Sequence, residues 1–229
     1  MELKTTVLFD NLDKTVAGNF LSAFEYPWEC LSALPDFVAA LGKSLPTDTY
    51  EEIGENVWAA KSARIAGGVT LTGPAVIGEN AVLRPSAFVR GGVLVGNGCV
   101  VGNSTELKNS ILFDGVQVPH FNYVGDSVIG YRSHFGAGAV TGNVKGDKTP
   151  VTIKNGEVTL PTGRKKVGAF LGSFVEVGCH CVLNPGTVIG RNTRIYPLSC
   201  VRGCVPPDRI YKDKNNIVKI QENEGEEFL

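Results

Sequence analysis

The chain has 229 residues, 43% of them hydrophobic, and a formal net charge of −1 at pH 7. This length can bury a full core in one domain, and a charge near zero argues against nucleic acid as a partner. No apolar run is long enough to cross a bilayer, so we expect no membrane span.

The first third of the chain has apolar residues at helical spacing between positions 16 and 45, divided by Pro27 and Pro35. Gly42 is a typical helix end. Val57 and Trp58 then begin a different pattern. We therefore predict a helical N-terminal cap over residues 1–57 that protects the exposed first coil of the following domain.

A repeat of six residues begins at Ile65 and fits neither a helix nor a simple strand alternation. Small or β-branched residues stand four places after most of the repeated positions. The pattern is typical of hexapeptide repeats, and it predicts an all-β solenoid over residues 58–206, a parallel β-helix with eighteen residues per coil. The apolar positions are Ile65, Leu71, Ile77, Leu83, Val89, Val95, Val101, Leu107, Phe113 and Pro119.

Two cations interrupt this repeat at an outward position that glycine usually fills. Arg90 and Lys108 are eighteen residues apart, so they are predicted to stack in consecutive coils. Two neighbouring cations repel each other unless an anion lies against them, and a phosphate would fit. A solvated basic edge, or a pair with Glu106, explains the same residues.

His120 and Tyr123 follow where the repeat slips by one residue twice, from Pro119 to Val124 to Ile129. An imidazole with a phenol beside it could act as a general base. A surface histidine that fills a corner is the alternative. The small residues from Gly136 to Asn143 would let a ligand approach backbone N–H groups that could bind an oxyanion.

The repeat is lost from Asn143 to Lys166, where Asn155-Gly156 between two β-rich runs predicts a hairpin. We interpret residues 147–166 as a loop inserted at one corner, reaching toward a neighbouring subunit. The repeat resumes at Leu171 and continues to Val201. Residues 207–229 are predicted to form a charged, partly disordered tail that ends in an acidic run from Glu222.

The six cysteines lack disulfide or zinc-site spacing, so we expect free thiols, no metal and a reducing cytoplasmic location. The three histidines are His120, His134 and His180, separated by 14 and 46 residues. This spacing is wrong for the zinc carbonic anhydrases that share a hexapeptide β-helix.

Taken together, three segments in fixed order resemble a known enzyme domain: 106–110, 120–126 and 136–143. They are similar to the acetyltransferase domain of the bifunctional glucosamine-1-phosphate N-acetyltransferase / N-acetylglucosamine-1-phosphate uridyltransferase. The chain is also similar to a bacterial group labelled pyrophosphorylase-related or nucleotidyltransferase-like. The resemblance covers roughly residues 65–205 and implies a left-handed β-helix.

The resemblance implies the following site. His120 would be the general base that takes a proton from the sugar amine, and Asn143 would position that amine. Arg90, Lys108 and Tyr123 would hold a sugar 1-phosphate. Acetyl-CoA would be the co-substrate, with no metal needed. Its contacts would be the Ala137 backbone and Ser173, while His134 replaces an asparagine that the family carries in the sugar site.

Two functions stay open on this basis. The first is acyl-CoA-dependent N-acetylation of an amino-sugar 1-phosphate in nucleotide-sugar metabolism, by a homotrimer with active sites between subunits. The second is a non-catalytic or regulatory relative that binds sugar nucleotides. We expect no nucleotidyl transfer by this chain alone, because about sixty N-terminal residues are too few for the required nucleotide-binding domain.

Overall fold

The structure, a computed structural model, describes residues 1–221. The acidic run from Glu222 that was predicted for the tail lies outside these residues. The helices are α1 (Thr5–Leu8), α2 (Gly18–Ser22) and α3 (Leu34–Ser44), with 3₁₀ turns at Leu12–Lys14 and Pro27–Ser32.

Short strands make up most of the remaining described chain. In chain order they are β1 (Tyr50–Gly54), β2 (Val57–Ala60), β3 (Arg64–Ile65), β4 (Thr70–Thr72), β5 (Ala75–Ile77), β6 (Val82–Leu83), β7 (Phe88–Arg90), β8 (Val93–Val95), β9 (Val100–Asn103), β10 (Glu106–Leu112), β11 (Gln117–His120), β12 (Tyr123–Ile129), β13 (His134–Phe135), β14 (Val140–Thr141), β15 (Thr152–Asn155), β16 (Val158–Pro161), β17 (Ala169–Leu171), β18 (Glu176–Val177), β19 (Val182–Leu183), β20 (Thr187–Ile189), β21 (Arg194–Ile195), β22 (Cys200–Val201), β23 (Cys204–Val205), β24 (Arg209–Asp213) and β25 (Asn216–Lys219).

Most of these strands stack as parallel coils, which confirms the predicted β-helix. One face is a nine-stranded sheet with the strand order β3, β6, β9, β11, β13, β18, β21, β24 and β25. The other two faces are joined into a fourteen-stranded sheet, because β10 and β12 each continue around a corner. Apolar residues of the repeat, such as Leu83, Val89 and Val95, are fully buried inside the prism.

The coil length is not eighteen residues throughout. Leu94 pairs with Ile111, and Ile111 with Val128, so two consecutive coils have seventeen residues. The register consequently places Leu112 and Val118 beneath Val95 and Val101, where the sequence pattern predicted Phe113 and Pro119. That prediction is wrong by one residue, because the slip occurs before Leu112.

The N-terminal segment, residues 1–45, differs from the predicted end cap. It lies along one side of the prism and covers an outward column of apolar residues. Phe9 stacks on Phe113 with ring centroids 5.2 Å apart, and Gly42 lies directly against the Trp58 ring. The covered column consists of Trp58, Val76, Leu94, Ile111, Val128, Phe170 and Val188, each at most 7% exposed. The first coil is instead edged by β1, which pairs antiparallel with β2.

The predicted hairpin is present as the antiparallel pair β15 and β16. It docks on its own β-helix, where Val151 and Ile153 are buried. A Cβ atom on Gly186 would approach the Ile153 side chain to 3.0 Å, and one on Gly203 would approach the Lys154 carbonyl oxygen to 2.8 Å. Strand β15 is therefore held against its own β-helix, whereas β16 is mostly exposed. Contact of the hairpin with a neighbouring subunit stays a prediction.

The first part of the predicted tail is ordered as a second hairpin. Strand β24 continues the parallel ladder beside β21, and β25 folds back antiparallel on β24. Its backbone hydrogen bonds explain why a charged sequence is ordered here. Over residues 1–221, none of the helices has the length and apolar character needed to cross a membrane.

Candidate functional site

A buried carboxylate, Asp126, is the centre of a polar network on one corner of the β-helix. Its residue is 1% exposed. Lys108 Nζ donates to both carboxylate oxygens at 3.2 Å, Asn109 Nδ2 donates to Oδ1 at 2.9 Å, and Asn143 Nδ2 donates to Oδ2 at 2.6 Å. Four donated hydrogen bonds compensate the cost of burying the charge.

The backbone explains why Asp126 stands at this corner. Asn109 and Asp126 occupy equivalent corners of consecutive coils with φ of +48° and +50°. Aspartate and asparagine tolerate the left-handed region better than other non-glycine residues. The tight corner and the polar network thus select the same residue types.

Arg90 lies near this network and is also paired with a carboxylate. Its Nη1 is 2.6 Å from Glu106 Oε1. The register pairs Val89 with Leu107, so Arg90 and Lys108 are next to each other in consecutive coils. Each cation therefore faces a carboxylate, as the alternative interpretation of Arg90 anticipated. A guanidinium has five N–H donors, so Arg90 can hold Glu106 and still contact an anion.

Tyr123 is adjacent to both ion pairs: it is the register partner of Glu106, and its side chain meets Asn143, which also bonds to Asp126. Its hydroxyl accepts a hydrogen bond from Asn143 Nδ2 at 3.1 Å and lies against Gly125, where a Cβ atom would collide with it. Partial burial raises the pKa of the Tyr123 phenol above its ordinary value, and the Asp126 and Glu106 carboxylates raise it further. The phenol therefore stays protonated at neutral pH.

His120 lies on the other side of a corner from this network. It ends β11 in the nine-stranded sheet, and Tyr123 begins β12 after a turn at Phe121 and Asn122. The buried Asn122 side chain fixes this turn by accepting from the His120 N–H at 3.0 Å and donating to the Gly136 carbonyl at 2.9 Å. Because the Tyr123 hydroxyl lies over Gly125, the phenol points away from His120 and is not beside it as predicted.

Two further predicted residues lie on the His120 side of the corner. His134 Nδ1 is 2.9 Å from Glu176 Oε2 in the next coil. Ala137 immediately precedes Gly138, whose N–H donates to the His120 carbonyl at 3.0 Å. The N–H groups of this glycine-rich stretch were expected to be open to an oxyanion. Those of Gly136, Gly138, Ala139, Val140 and Gly142 are instead used in backbone hydrogen bonds.

Ser173 lies in a third location, beneath the N-terminal segment. It is 1% exposed, and its hydroxyl donates to Asp10 Oδ1 at 3.2 Å and accepts from Asn11 Nδ2 at 3.0 Å. A cofactor cannot reach this hydroxyl without displacing residues 10 and 11. The expectation that the Ser173 side chain contacts acetyl-CoA is corrected on this point.

The structure thus places the expected site residues in two groups, one that was expected to hold the phosphate and one that contains the expected base. Arg90, Lys108, Tyr123 and Asn143 come together, and His120, His134 and Ala137 lie across the corner. Sequence reasoning missed Asp126 as the residue that holds Lys108 and Asn143. The signal was present, since Asp126 follows Asn109 by seventeen residues, the length of the shortened coil.

Comparison with known proteins confirms the resemblance predicted from the sequence. A family model described as the GMPPB C-terminal domain matches residues 71–161. A bifunctional sugar-1-phosphate nucleotidylyltransferase/acetyltransferase of Sulfurisphaera tokodaii is 37% identical over 107 residues, which are 47% of this chain and 27% of that protein. The bifunctional protein GlmU of Methanococcus maripaludis is 38% identical over 90 residues, or 39% of this chain and 22% of that protein. The matches therefore span about a quarter of these relatives.

Solved structures with some similarity to this chain include the following two. A hexapeptide transferase family protein from Anaplasma phagocytophilum covers 73% of this chain and 82% of its own, with 15% identity and a TM-score of 0.48. A perosamine N-acetyltransferase from Caulobacter crescentus, determined with CoA and GDP-perosamine, covers 73% of this chain and 57% of its own, with 17% identity and a TM-score of 0.33.

Proposed function

We propose that this protein is an acetyl-CoA-dependent N-acetyltransferase that acts on an amino-sugar 1-phosphate. The observation that carries the proposal is the network in which Arg90, Lys108, Tyr123 and Asn143 meet on one face. The acetyltransferase names of the curated relatives support it.

In the proposed reaction the phosphate is held by Arg90 and Lys108. Each has N–H donors beyond those used by its carboxylate, so the phosphate joins the existing pairs without breaking them. Asn143, fixed by Asp126, then presents its amide to the sugar. The pairing with carboxylates lowers the net positive charge of the site, which favours a substrate that also carries a cationic amine.

His120 takes the proton from the amine as general base. The neutral amine attacks the thioester carbonyl and forms the C–N bond of a tetrahedral intermediate. The C–S bond then breaks, the nitrogen loses a proton, and the leaving sulfur of coenzyme A takes up one proton and departs as the thiol. The chemistry needs no metal ion. Tyr123 remains a neutral hydrogen-bonding group, because its raised pKa keeps the phenol protonated.

A homotrimer with shared sites would bring the two groups together. His120 is separated from Asp126 by the Phe121–Asn122 corner and by three residues of strand, about 10 Å of extended backbone. The base of one subunit would therefore serve the phosphate group of the next, in a cytoplasmic enzyme of nucleotide-sugar metabolism.

A thiol-release assay with acetyl-CoA and a panel of amino-sugar phosphates tests the proposal. We expect release with at least one sugar 1-phosphate and much less with the unphosphorylated sugar. Arg90→Gln and Lys108→Gln should each weaken use of the phosphorylated sugar about tenfold or more, since each removes a charge-assisted hydrogen bond. Absence of thiol release with every member of the panel would contradict it.

The non-catalytic sugar-nucleotide binder stays the second candidate. The observation that favours it is that no hydrogen-bond partner orients the His120 ring within residues 1–221, whereas catalytic imidazoles usually have one. Binding of a sugar nucleotide without binding of acetyl-CoA, measured by calorimetry, would select this function.

A further inference from the structure

A cavity of about 360 Å³ lies between the insertion hairpin and the last coils of the β-helix. Its lining includes Lys145, Asp147 and Lys154 from the insertion, and Asn184 and Arg202 from the coils. This volume is within the range of small-molecule sites. None of these residues belongs to the network around Asp126 or to the group around His120.

The lining has an excess of positive charge. Lys145 Nζ is 3.5 Å from Asp147 Oδ2, so the Asp147 carboxylate partly neutralises its charge. Lys154 and Arg202 have no carboxylate within 4.0 Å in the described part of the chain. Cations that line one cavity without counter-charges repel each other, and an anion between them removes that repulsion.

Positive charge is also concentrated in the insertion as a whole. The complete chain has 22 basic and 23 acidic residues, whereas residues 143–166 have six basic and only two acidic ones. The segment is therefore a basic region in a slightly acidic protein. Such a region attracts anionic ligands to the cavity that it borders. The basic residues are Lys145, Lys148, Lys154, Arg164, Lys165 and Lys166.

The cavity walls are held in place by the fold. Val151, immediately before β15, and Ile153 on β15 are 1% and 0% exposed. Gly203, with φ of +73°, lets the Lys154 backbone pass close to the last coils beside Arg202. On the same strand, Asn155 Nδ2 donates to the Met1 carbonyl at 2.7 Å. A binding site with fixed walls loses little conformational entropy when a ligand enters.

We propose that this pocket is a second anion site, which binds a diphosphate ester separately from the sugar-phosphate group around Asp126. Three cationic side chains and one carboxylate leave a net positive charge, and the cations stand on both walls of the cavity, with Lys145 and Lys154 on the insertion and Arg202 on the coils. Two linked phosphoryl groups can contact cations on both walls at once. Two kinds of ligand contain this chemistry: a nucleoside diphosphate, as in a sugar nucleotide, and coenzyme A. The proposal does not depend on acetyl transfer.

Isothermal titration calorimetry of the full chain at low salt, with uridine diphosphate and with coenzyme A as probes, tests the site. We expect at least one probe to bind with a Kd below about 1 mM. Arg202→Gln and Lys154→Gln should each raise that Kd about tenfold, since each removes a charge-assisted contact. Tighter binding of uridine diphosphate assigns the site to nucleotide sugars, and tighter binding of coenzyme A assigns it to the coenzyme.

Arg194→Gln is the matched control, because Arg194 is an exposed cation on β21 outside the cavity. Its Kd should equal that of the parent protein, and circular dichroism should show that all variants are folded. Failure of both probes to bind, or an unchanged Kd in the Arg202 and Lys154 variants, overturns the proposal. Loss of binding in Arg90→Gln with no loss in Arg202→Gln also overturns it. Failure of thiol release would leave these measurements unaffected.

Discussion

Two outward faces of the same β-helix have opposite roles. On one face the outward column is apolar and fully covered by residues 1–45, with Leu94, Ile111 and Val128 at most 1% exposed. On the next face the outward residues of successive coils include Arg90, Lys108 and Asn184. Within residues 1–221 no segment covers Lys108 completely, since its side chain is 24% exposed.

The difference shows that the six-residue repeat determines the interior and leaves the exterior free. Inward positions need apolar side chains on all three faces. Outward positions on one face stabilise the protein by packing with its own N-terminal segment, and those on the other are available for a ligand.

The largest expected contrast is in stability. Phe170 is fully buried on the covered face, with its ring centroid 6.0 Å from that of Trp28. Phe170→Ala leaves a cavity there and should lower the free energy of unfolding by about 3–5 kcal/mol. Phe121→Ala, at a residue that is 62% exposed, should change it by less than about 0.5 kcal/mol. Urea unfolding curves measure both. Equal losses would show that the N-terminal segment does not protect its face.

The next effect concerns the base. His120→Ala should lower kcat about 10²-fold with little change in KM for the sugar, because the imidazole acts on the proton and not on the phosphate. Steady-state thiol release with saturating acetyl-CoA measures it. An unchanged kcat would remove His120 from the mechanism.

Mixing experiments distinguish sites within a subunit from shared sites. Subunits of His120→Ala and Lys108→Ala, each nearly inactive alone, should recover about a quarter of the parent activity when they are mixed and refolded as trimers with shared sites. Sites contained within single subunits predict no recovery.

A smaller effect distinguishes the two ion pairs of the uncovered face, Lys108–Asp126 and Arg90–Glu106. Asp126→Asn removes the buried negative charge and replaces one of the two acceptor oxygens by an NH2 donor that faces other donors, so it should lower the free energy of unfolding by about 2 kcal/mol. Glu106→Gln, in the more exposed pair with Arg90, should cost less than about 1 kcal/mol. Denaturant titrations compare the two. A larger loss for Glu106→Gln would show that Asp126 is not the organising residue.

The smallest effect is a titration. A folded-state pKa above the ordinary value means that the folded chain holds the Tyr123 proton more tightly than the unfolded chain does. This contribution to stability is complete below about pH 10 and declines as the pH rises through the folded pKa. The difference in phenolate absorbance between the parent and Tyr123→Phe should have its midpoint above that of an unfolded tyrosine. A lower midpoint would contradict the described contacts.

The sequence predicted the interior well because the interior is periodic. Ile77, Leu83 and Val89 are buried as the repeat requires, and the Asn155-Gly156 hairpin is present. The position of the coil slip was missed, because Phe113 is apolar and fits a six-residue count while it packs on Phe9.

The exterior was predicted less completely, because outward residues have no period that reveals their partners. The spacing of Arg90 and Lys108 indicated that they are neighbours. It could not show that Asp126 neutralises Lys108 or that a corner separates His120 from Tyr123. The burial of Ser173 depends on Asp10 and Asn11, which are more than 160 residues away in the chain.

The course of the N-terminal segment has a consequence for cooperativity. Leu8 and Trp28 lie against the same late coil, since a Cβ atom on Gly172 would lie 3.1 Å from the Leu8 carbonyl oxygen and the Trp28 ring meets Phe170. Helix α3 packs on the much earlier strands β5 and β8. Solenoids whose repeats touch only their neighbours can unravel from either end, one unit at a time. Here the N-terminal segment contacts coils that are distant from one another, so its contacts with one part of the prism also resist unfolding of the other part.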